Sequence, residues 1–352
     1  MKSSFASRPD IPYELPWCLG PGLSGLLSIV VTAYNQDWVL DETLRSIAAQ
    51  TYRPLECVIV NDGSSDETPR IISRFVDRYG DDLRVVAIEQ ENAGAQRARN
   101  RGVCASHGEF ITFLDGDDVL APHKSEVQLL FLRSREGAQS DVAYSDAKWL
   151  VQRGDEFEAG DYVGLGFCQD VLTSLLRMDR WNPPFVYVCR RRAIQATGAW
   201  DPQIRINQDF EYFLRMASKA QRFAYVPGMA GYYRKHFRAR ISQAGILLRA
   251  QDTLSILKKA EQLMQQHHLL DGGRREVLSY AYRSVSCWAF QYDRALWKES
   301  LTHALRLCPS IRPRNSVGRS LQALLGIWRS EWLFGLLRPA KQQFRATEHS
   351  AI

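Results

Sequence analysis

The chain has 352 residues, 45% hydrophobic and 24% charged, with a formal net charge of +6. Those proportions exclude a disordered polymer and suit a soluble globular chain with one substantial domain and about a hundred further residues. No apolar run approaches a membrane-spanning length, no signal-peptide core is expected at the N-terminus, and the basic excess forms no aromatic-interleaved stripe, so no nucleic-acid partner is expected.

Residues 1–25 are rich in Pro, Gly and Ser and read as a loose arm. Leu26 to Thr32 then has the composition of a buried strand. A helix is expected from Trp38 to Gln50, with Leu40, Leu44, Ile47 and Ala48 on one face. Leu55 to Val60 is a second strand. Asp66 is placed to cap a second helix, with Ile71, Ile72, Phe75, Val76 and Tyr79 inward and Gly80 past its end. Arg84 to Ile88 is a third strand, Ala95 to Ala105 a third helix, and Glu109 to Leu114 a fourth strand. Such alternation predicts an α/β protein with a mostly parallel, helix-covered sheet.

Ligands of such sheets bind beyond the carboxyl ends of the strands. Polar clusters fall at those ends: Ala33-Tyr34-Asn35, Asn61 to Asp66, Asn92-Ala93-Gly94 and Asp115-Gly116-Asp117-Asp118. Three carboxylates in four positions repel one another, and a hard divalent cation removes that repulsion.

These residues, in this order and spacing, resemble family 2 glycosyltransferases of the GT-A fold. The resemblance rests on Ser28 to Asn35, Val60 to Asp66, Asn92 to Gly94 with Ala98 to Gly102, and Phe113 to Asp118. It continues through Gly198 to Asp201, Asn207 to Glu211 with Leu214-Arg215, and Tyr233 to His236. It implies a GT-A domain over 26–242, a Rossmann-like mixed sheet with helices on both faces, followed by a helical region over 243–352.

It further implies an inverting transferase acting on a nucleotide-diphospho-sugar, first among them a UDP-sugar, with Mn²⁺ or Mg²⁺ as cofactor and a glycan or lipid-linked acceptor. Thr32, Tyr34, Asp62, Asn92, Gly94, Arg99, Asp115 and His236 match donor-binding positions. Tyr34 stacks on the base and Asp62 meets it through its carboxylate, while Asp115 meets the ribose. Asp117 is the metal ligand, with His236 near the metal or diphosphate; a purely structural His236 is the alternative. Arg99 lies near the nucleotide or on a helix surface, and Asp118 orders the turn. Asp209 matches the base that takes the acceptor's proton, with Glu211 as rival. Gln208 stands where the family commonly has an acid, so one charge is missing. A sugar-nucleotide pyrophosphorylase lacks support because no Gly-rich phosphate loop follows the first strand, and a non-catalytic binder would be expected to have lost Asp117 or Asp209.

Three basic clusters remain: Arg190-Arg191-Arg192, expected as a solvated helix start; Arg234 to Arg240, facing a diphosphate; and Arg312 to Arg319. Trp149, Phe167, Trp181 and Phe185 form either an acceptor platform or core. The seven cysteines, 18, 57, 104, 168, 189, 287 and 308, contain no Cys-x-x-Cys pair and read as reduced thiols of a cytoplasmic protein. Beyond Ser242 helical spacing runs to His267, breaks at Asp271-Gly272-Gly273, and resumes as an antiparallel pair, Val277 to Tyr292 and Trp297 to Cys308. A last amphipathic helix, Arg319 to Leu337, carries Trp328, Trp332 and Phe334 among Arg side chains. It suits peripheral contact with the cytoplasmic membrane face, packing on its own domain, or a homodimer contact.

Overall fold

The structure, a computed structural model, describes residues 20, 22–80, 82–154, 156–236 and 245–310. Most of the expected arm, the segment 237–244 and the helix 319–337 lie outside the described residues. The strands are β1 (Leu23–Ala33), β2 (Leu55–Asn61), β3 (Arg84–Glu89), β4 (Gly108–Asp115), β5 (Val119–Leu120), β6 (Val142–Arg153), β7 (Glu156–Val163), β8 (Tyr187–Arg190) and β9 (Phe223–Lys235). The helices are α1 (Leu40–Ala48), α2 (Thr68–Tyr79), α3 (Ala95–Ala105), α4 (Lys124–Arg133), α5 (Val171–Leu176), α6 (Arg191–Thr197), α7 (Gln208–Ser218), α8 (Ile246–Gln266), α9 (Gly272–Ala289) and α10 (Arg294–Leu307).

Two compact units divide the chain. The first comprises the described residues up to Gln169, then 182–203 and 221–236; the second comprises 170–181, 204–220 and 245–310. The first unit is a mixed sheet in the order β3-β2-β1-β4-β8-β6-β9-β5, with β7 on β6. Every residue of β2, and β1 from Leu26 onward, is buried. Successive side chains of a strand point to opposite faces, so helices must cover both sides. The half from β3 to β4 is parallel, as the sequence predicts. Beyond β4 the strands β8, β7 and β5 pair antiparallel, while β6 and β9 run parallel.

Helix boundaries differ from expectation by a few residues. Glu67, not Asp66, occupies the N-cap position of α2, although the Asp66 carboxylate accepts the Thr68 N–H at 2.9 Å. Ala48, Val76 and Tyr79 are only half-buried, so the inward faces are narrower than their patterns suggest. In the second unit Asp271 and Asp293 cap α9 and α10. Ser279 bonds the Ala304 carbonyl and the Phe290 ring meets Trp297, so the two helices run antiparallel.

Candidate functional site

The strand ends are in register. Thr32 pairs with Asp115, Ala33 with Asn61, and Asn61 with Glu89, so the polar clusters after β1, β2, β3 and β4 share one rim. The buried carboxylate Glu56 lies at the opposite ends of the strands. It accepts from Ser28 Oγ and the backbone N–H groups of His107 and Gly108, which makes it a brace for the sheet.

On the rim, Asp62 is buried, and its carboxylate holds the loop after β3. Oδ1 accepts from Gln90 Nε2 at 2.7 Å and Ala93 N at 2.8 Å, and Oδ2 accepts from Gly94 N at 2.9 Å. A carboxylate has about four acceptor positions, so one remains. Gly94 has φ +92°, and a Cβ on Gly63, at φ +74°, would come within 2.6 Å of the Asn92 nitrogen. Both positions need glycine for this approach. Tyr34 is 49% exposed, so its ring face is open to a ligand. Asn92, in the loop after β3, is exposed. Asn35 and Ser64 cross-link the two neighbouring loops, and Asp66 accepts the Asp37 N–H at 3.1 Å. Burial pushes the Asp66 carboxyl up, but the bonds from Thr68 and Asp37 outweigh it and hold the group below its usual range.

Arg99 is 3% exposed, which overturns the helix-surface reading. Its Nη2 donates to Asp115 Oδ1 at 2.6 Å, and its guanidinium lies 4.4 Å from the centre of the Trp200 ring. Thr32 Oγ1 donates to the same oxygen at 3.4 Å. Both bonds end on Oδ1, which fixes the carboxylate's orientation.

The β5–β9 pairing brings residues more than a hundred positions downstream onto the acidic turn. Arg234 is 1% exposed. Its backbone N–H donates to Asp118 Oδ1 at 2.9 Å, Nε to the Asp117 carbonyl at 2.7 Å, and Nη2 to Glu42 Oε2 at 2.6 Å. The guanidinium also covers the Phe157 ring at 4.4 Å. Arg234 therefore braces the turn rather than facing a diphosphate. His236 Nε2 stands 3.4 Å from Asp117 Oδ2, and its ring meets Trp38 edge-on at 4.8 Å. Asp118 is fully buried; burial, then the charges of Asp117 and Asp115, push its carboxyl well above the usual range.

The donor set Asp117 and His236 fits a divalent cation. Asp118 Oδ2 is buried without a hydrogen-bond partner among the described residues, which marks a carboxylate-rich turn in need of positive charge. Among the described residues no group of three His, Cys, Asp or Glu side chains is gathered for a metal. A two-ligand protein site suits an ion that completes its shell with substrate phosphates and water.

Asp209 belongs to the second unit, as the second residue of α7. It is half-buried. Its rival Glu211 is 3% exposed and bound to Arg215 through Nε at 2.7 Å and Nη2 at 3.0 Å. That fork occupies both carboxylate oxygens of Glu211.

The structure also places the other residues singled out in the sequence. The cluster 190–192 does begin a helix, α6, and Arg192 is exposed, but Arg191 is buried, donating to the Gly108 carbonyl at 2.6 Å and Ser106 Oγ at 3.0 Å. Arg190 reaches Glu109, and Arg192 reaches Asp141. Phe185 is core, Trp149 is half-buried against Tyr233, and Phe167 and Trp181 are exposed. The described cysteines are all free thiols. Burial pushes Cys189 up to about 12. Sequence reasoning missed Trp38, Glu42, Gln90 and Trp200, because each acts through a partner distant in the chain.

Residues 28–155 match the pattern of glycosyl transferase family 2. Streptococcus pneumoniae glycosyltransferase GlyG is 38% identical over 162 residues, 45% of this chain and 50% of that protein. Glycosyltransferase GlyA of the same organism is 38% identical over 117 residues, 33% of this chain and 16% of that protein. The chain thus spans half or less of these relatives' length. Among solved structures, S. aureus TarS 1–349 with UDP-GlcNAc superposes with a TM-score of 0.61 at 18% identity, over 92% of this chain and 91% of that one. Mannosyltransferase PcManGT from Pyrobaculum calidifontis, in complex with GDP-Man and Mn²⁺, gives 0.52 at 17% identity over 95% and 90%. Residues 28–155 thus carry the glycosyl transferase family 2 pattern, and the fold is GT-A.

Proposed function

We propose that this protein is an inverting glycosyltransferase that moves a sugar from a nucleotide-diphospho-sugar to an acceptor hydroxyl, in cell-surface glycan synthesis at the cytoplasmic side. The observation that carries the reading is the in-register rim, where Asp62, Asp115 and the Asp117–His236 pair stand at the ends of adjoining strands. Tyr34 stacks on the base, and the remaining acceptor position of Asp62 takes a base N–H. Thr32 belongs to the same donor site, and Asn92 and Gly94 line its loop side. Arg99 holds Asp115 so that Oδ2 takes a ribose hydroxyl. Asp117 and His236 hold Mn²⁺ or Mg²⁺, which when bound supplies Lewis-acid stabilisation of the leaving diphosphate. Asp209 accepts the acceptor's proton as that oxygen bonds to the anomeric carbon. The bond from that carbon to the diphosphate breaks on the opposite face, and its electron pair leaves with the nucleotide. That TarS was solved with UDP-GlcNAc and PcManGT with GDP-Man supports offering UDP- and GDP-sugars first.

A hydrolysis screen tests the reading. Purified protein with Mn²⁺ is offered UDP-, GDP- and dTDP-sugars, and nucleoside diphosphate release is measured. Release from one donor, lost with chelator, is expected. Binding without turnover, or formation of a nucleotide-sugar from a nucleoside triphosphate and a sugar 1-phosphate, would overturn it.

The segment 319–337 lies outside the described residues, and no helix among those described is long and apolar enough to cross a membrane. We infer from its composition that it seats the protein on an anionic membrane face near a lipid-linked acceptor. Full-length protein should float with anionic liposomes and lose this on truncation at Pro309. Equal flotation of the two forms would leave packing or dimerisation as its role.

A further inference from the structure

The residues before α7 carry little regular hydrogen bonding of their own, yet they set where Asp209 stands. Two consecutive residues of α8 hold them. Asp252 Oδ2 accepts the backbone N–H groups of Arg205 at 2.7 Å and Ile206 at 2.8 Å. Its Oδ1 accepts Arg205 Nη2 at 2.6 Å and Nε at 3.2 Å. Thr253 Oγ1 accepts Asn207 Nδ2 at 3.2 Å. Asn207 is the N-cap residue of α7, in the left-handed region at φ +60°, and its carbonyl accepts the Glu211 N–H at 2.9 Å.

Asp252 is 4% exposed and Thr253 1%. A buried carboxylate inside a helix is costly to desolvate unless fully bonded. All the bonds recorded for Asp252 go to a segment 46 or 47 residues upstream, and none serves α8 itself. An apolar side chain there would leave the buried Ile206 N–H and the Arg205 N–H without their acceptor, so the acid holds this backbone in place. It fixes the backbone of 205 and 206, while Thr253 fixes the side chain of the strained residue 207. Asp209 follows two residues later. A shift of about 1 Å in a catalytic group costs on the order of a hundredfold in rate.

We propose that Asp252, assisted by Thr253, is a positioning residue for Asp209, so that the C-terminal helical region sets the turnover of the transferase. The inference rests on the reading of Asp209 as the base. Asp252→Asn presents N–H groups where donors already point and loosens the segment without changing volume. Thr253→Val removes only the bond to Asn207.

The test measures steady-state nucleotide release from whichever UDP-, GDP- or dTDP-sugar the wild-type protein turns over, together with UDP or GDP affinity by calorimetry. Asp252→Asn should lower kcat about tenfold to a hundredfold, with KM for the donor and nucleotide affinity within about twofold of wild type. Thr253→Val should lower kcat severalfold with the same unchanged KM. In an Asp209→Asn background, Asp252→Asn should add no further loss, because the group it positions is gone. Normal kcat in folded Asp252→Asn, or a full multiplicative loss in the double variant, overturns the inference. If Asp252→Asn does not fold, Thr253→Val decides: reduced kcat at unchanged KM supports the proposal, and unchanged kcat overturns it. Full turnover by Asp209→Asn alone defeats the base reading instead, whatever the α8 variants do.

Discussion

The acidic turn 115–118 and the acidic helix start 209–211 solve one problem in two ways. Each groups carboxylates that repel. In the turn, the acids are sorted by partners far away in sequence: Arg99 holds Asp115, while the Arg234 backbone N–H holds Asp118. In the helix, Glu211 is neutralised locally by Arg215 one turn on. In both regions the acid proposed for chemistry stands beside the braced one, Asp117 next to Asp118 in the first and Asp209 two residues before Glu211 in the second. The lesson is that a carboxylate's neighbours, more than its identity, decide whether it braces the fold or does chemistry.

The largest effect is expected at Asp117. Asp117→Asn should bring divalent-dependent nucleotide release to the detection limit while the circular dichroism and melting temperature stay near wild type. Undiminished activity, with or without chelator, would place the metal elsewhere and break the parallel between the two regions. Next, Asp209→Asn should lower turnover on the order of a hundredfold and leave UDP or GDP affinity unchanged, read by the same assay and calorimetry.

Glu211→Gln sharpens the comparison by the opposite signature. It breaks a buried ion pair, so it should destabilise by about 3 kcal/mol, read as a lowered melting temperature, with kcat of the folded fraction close to wild type. A larger loss of kcat than in Asp209→Asn would reverse the two assignments.

The smallest effect is expected at Asp66. Its folded carboxyl is held below the usual value, so it contributes stability above the unfolded pKa and loses it as pH falls through the folded one. The melting-temperature gap between wild type and Asp66→Asn should be present at neutral pH and close below about pH 4. A gap constant across that range would mean that the Asn side chain keeps the bonds to Thr68 and Asp37.

Much of the first half of the fold was legible in sequence. Buried parallel strands are continuous apolar runs, and α1 and α2 carry apolar faces, so local pattern places them to within a few residues. The rim clusters were legible for the same reason: chain ends of parallel strands converge whatever their partners are. The mixed half of the sheet was not, because pairing β9 with both β6 and β5 depends on register between segments far apart.

By itself, then, the sequence determined the alternation of strand and helix, the position of four polar clusters on one edge, and the resemblance to family 2 glycosyltransferases. Only the tertiary structure decided that Arg191 is buried, that Arg234 meets Glu42 across 192 positions, that Phe185 is core, and that Asp252 grips the segment leading to Asp209. The physical reason is the range of the forces involved. Propensity and periodicity act within a few residues, whereas the burial of a charge is settled by which distant group arrives to bond it.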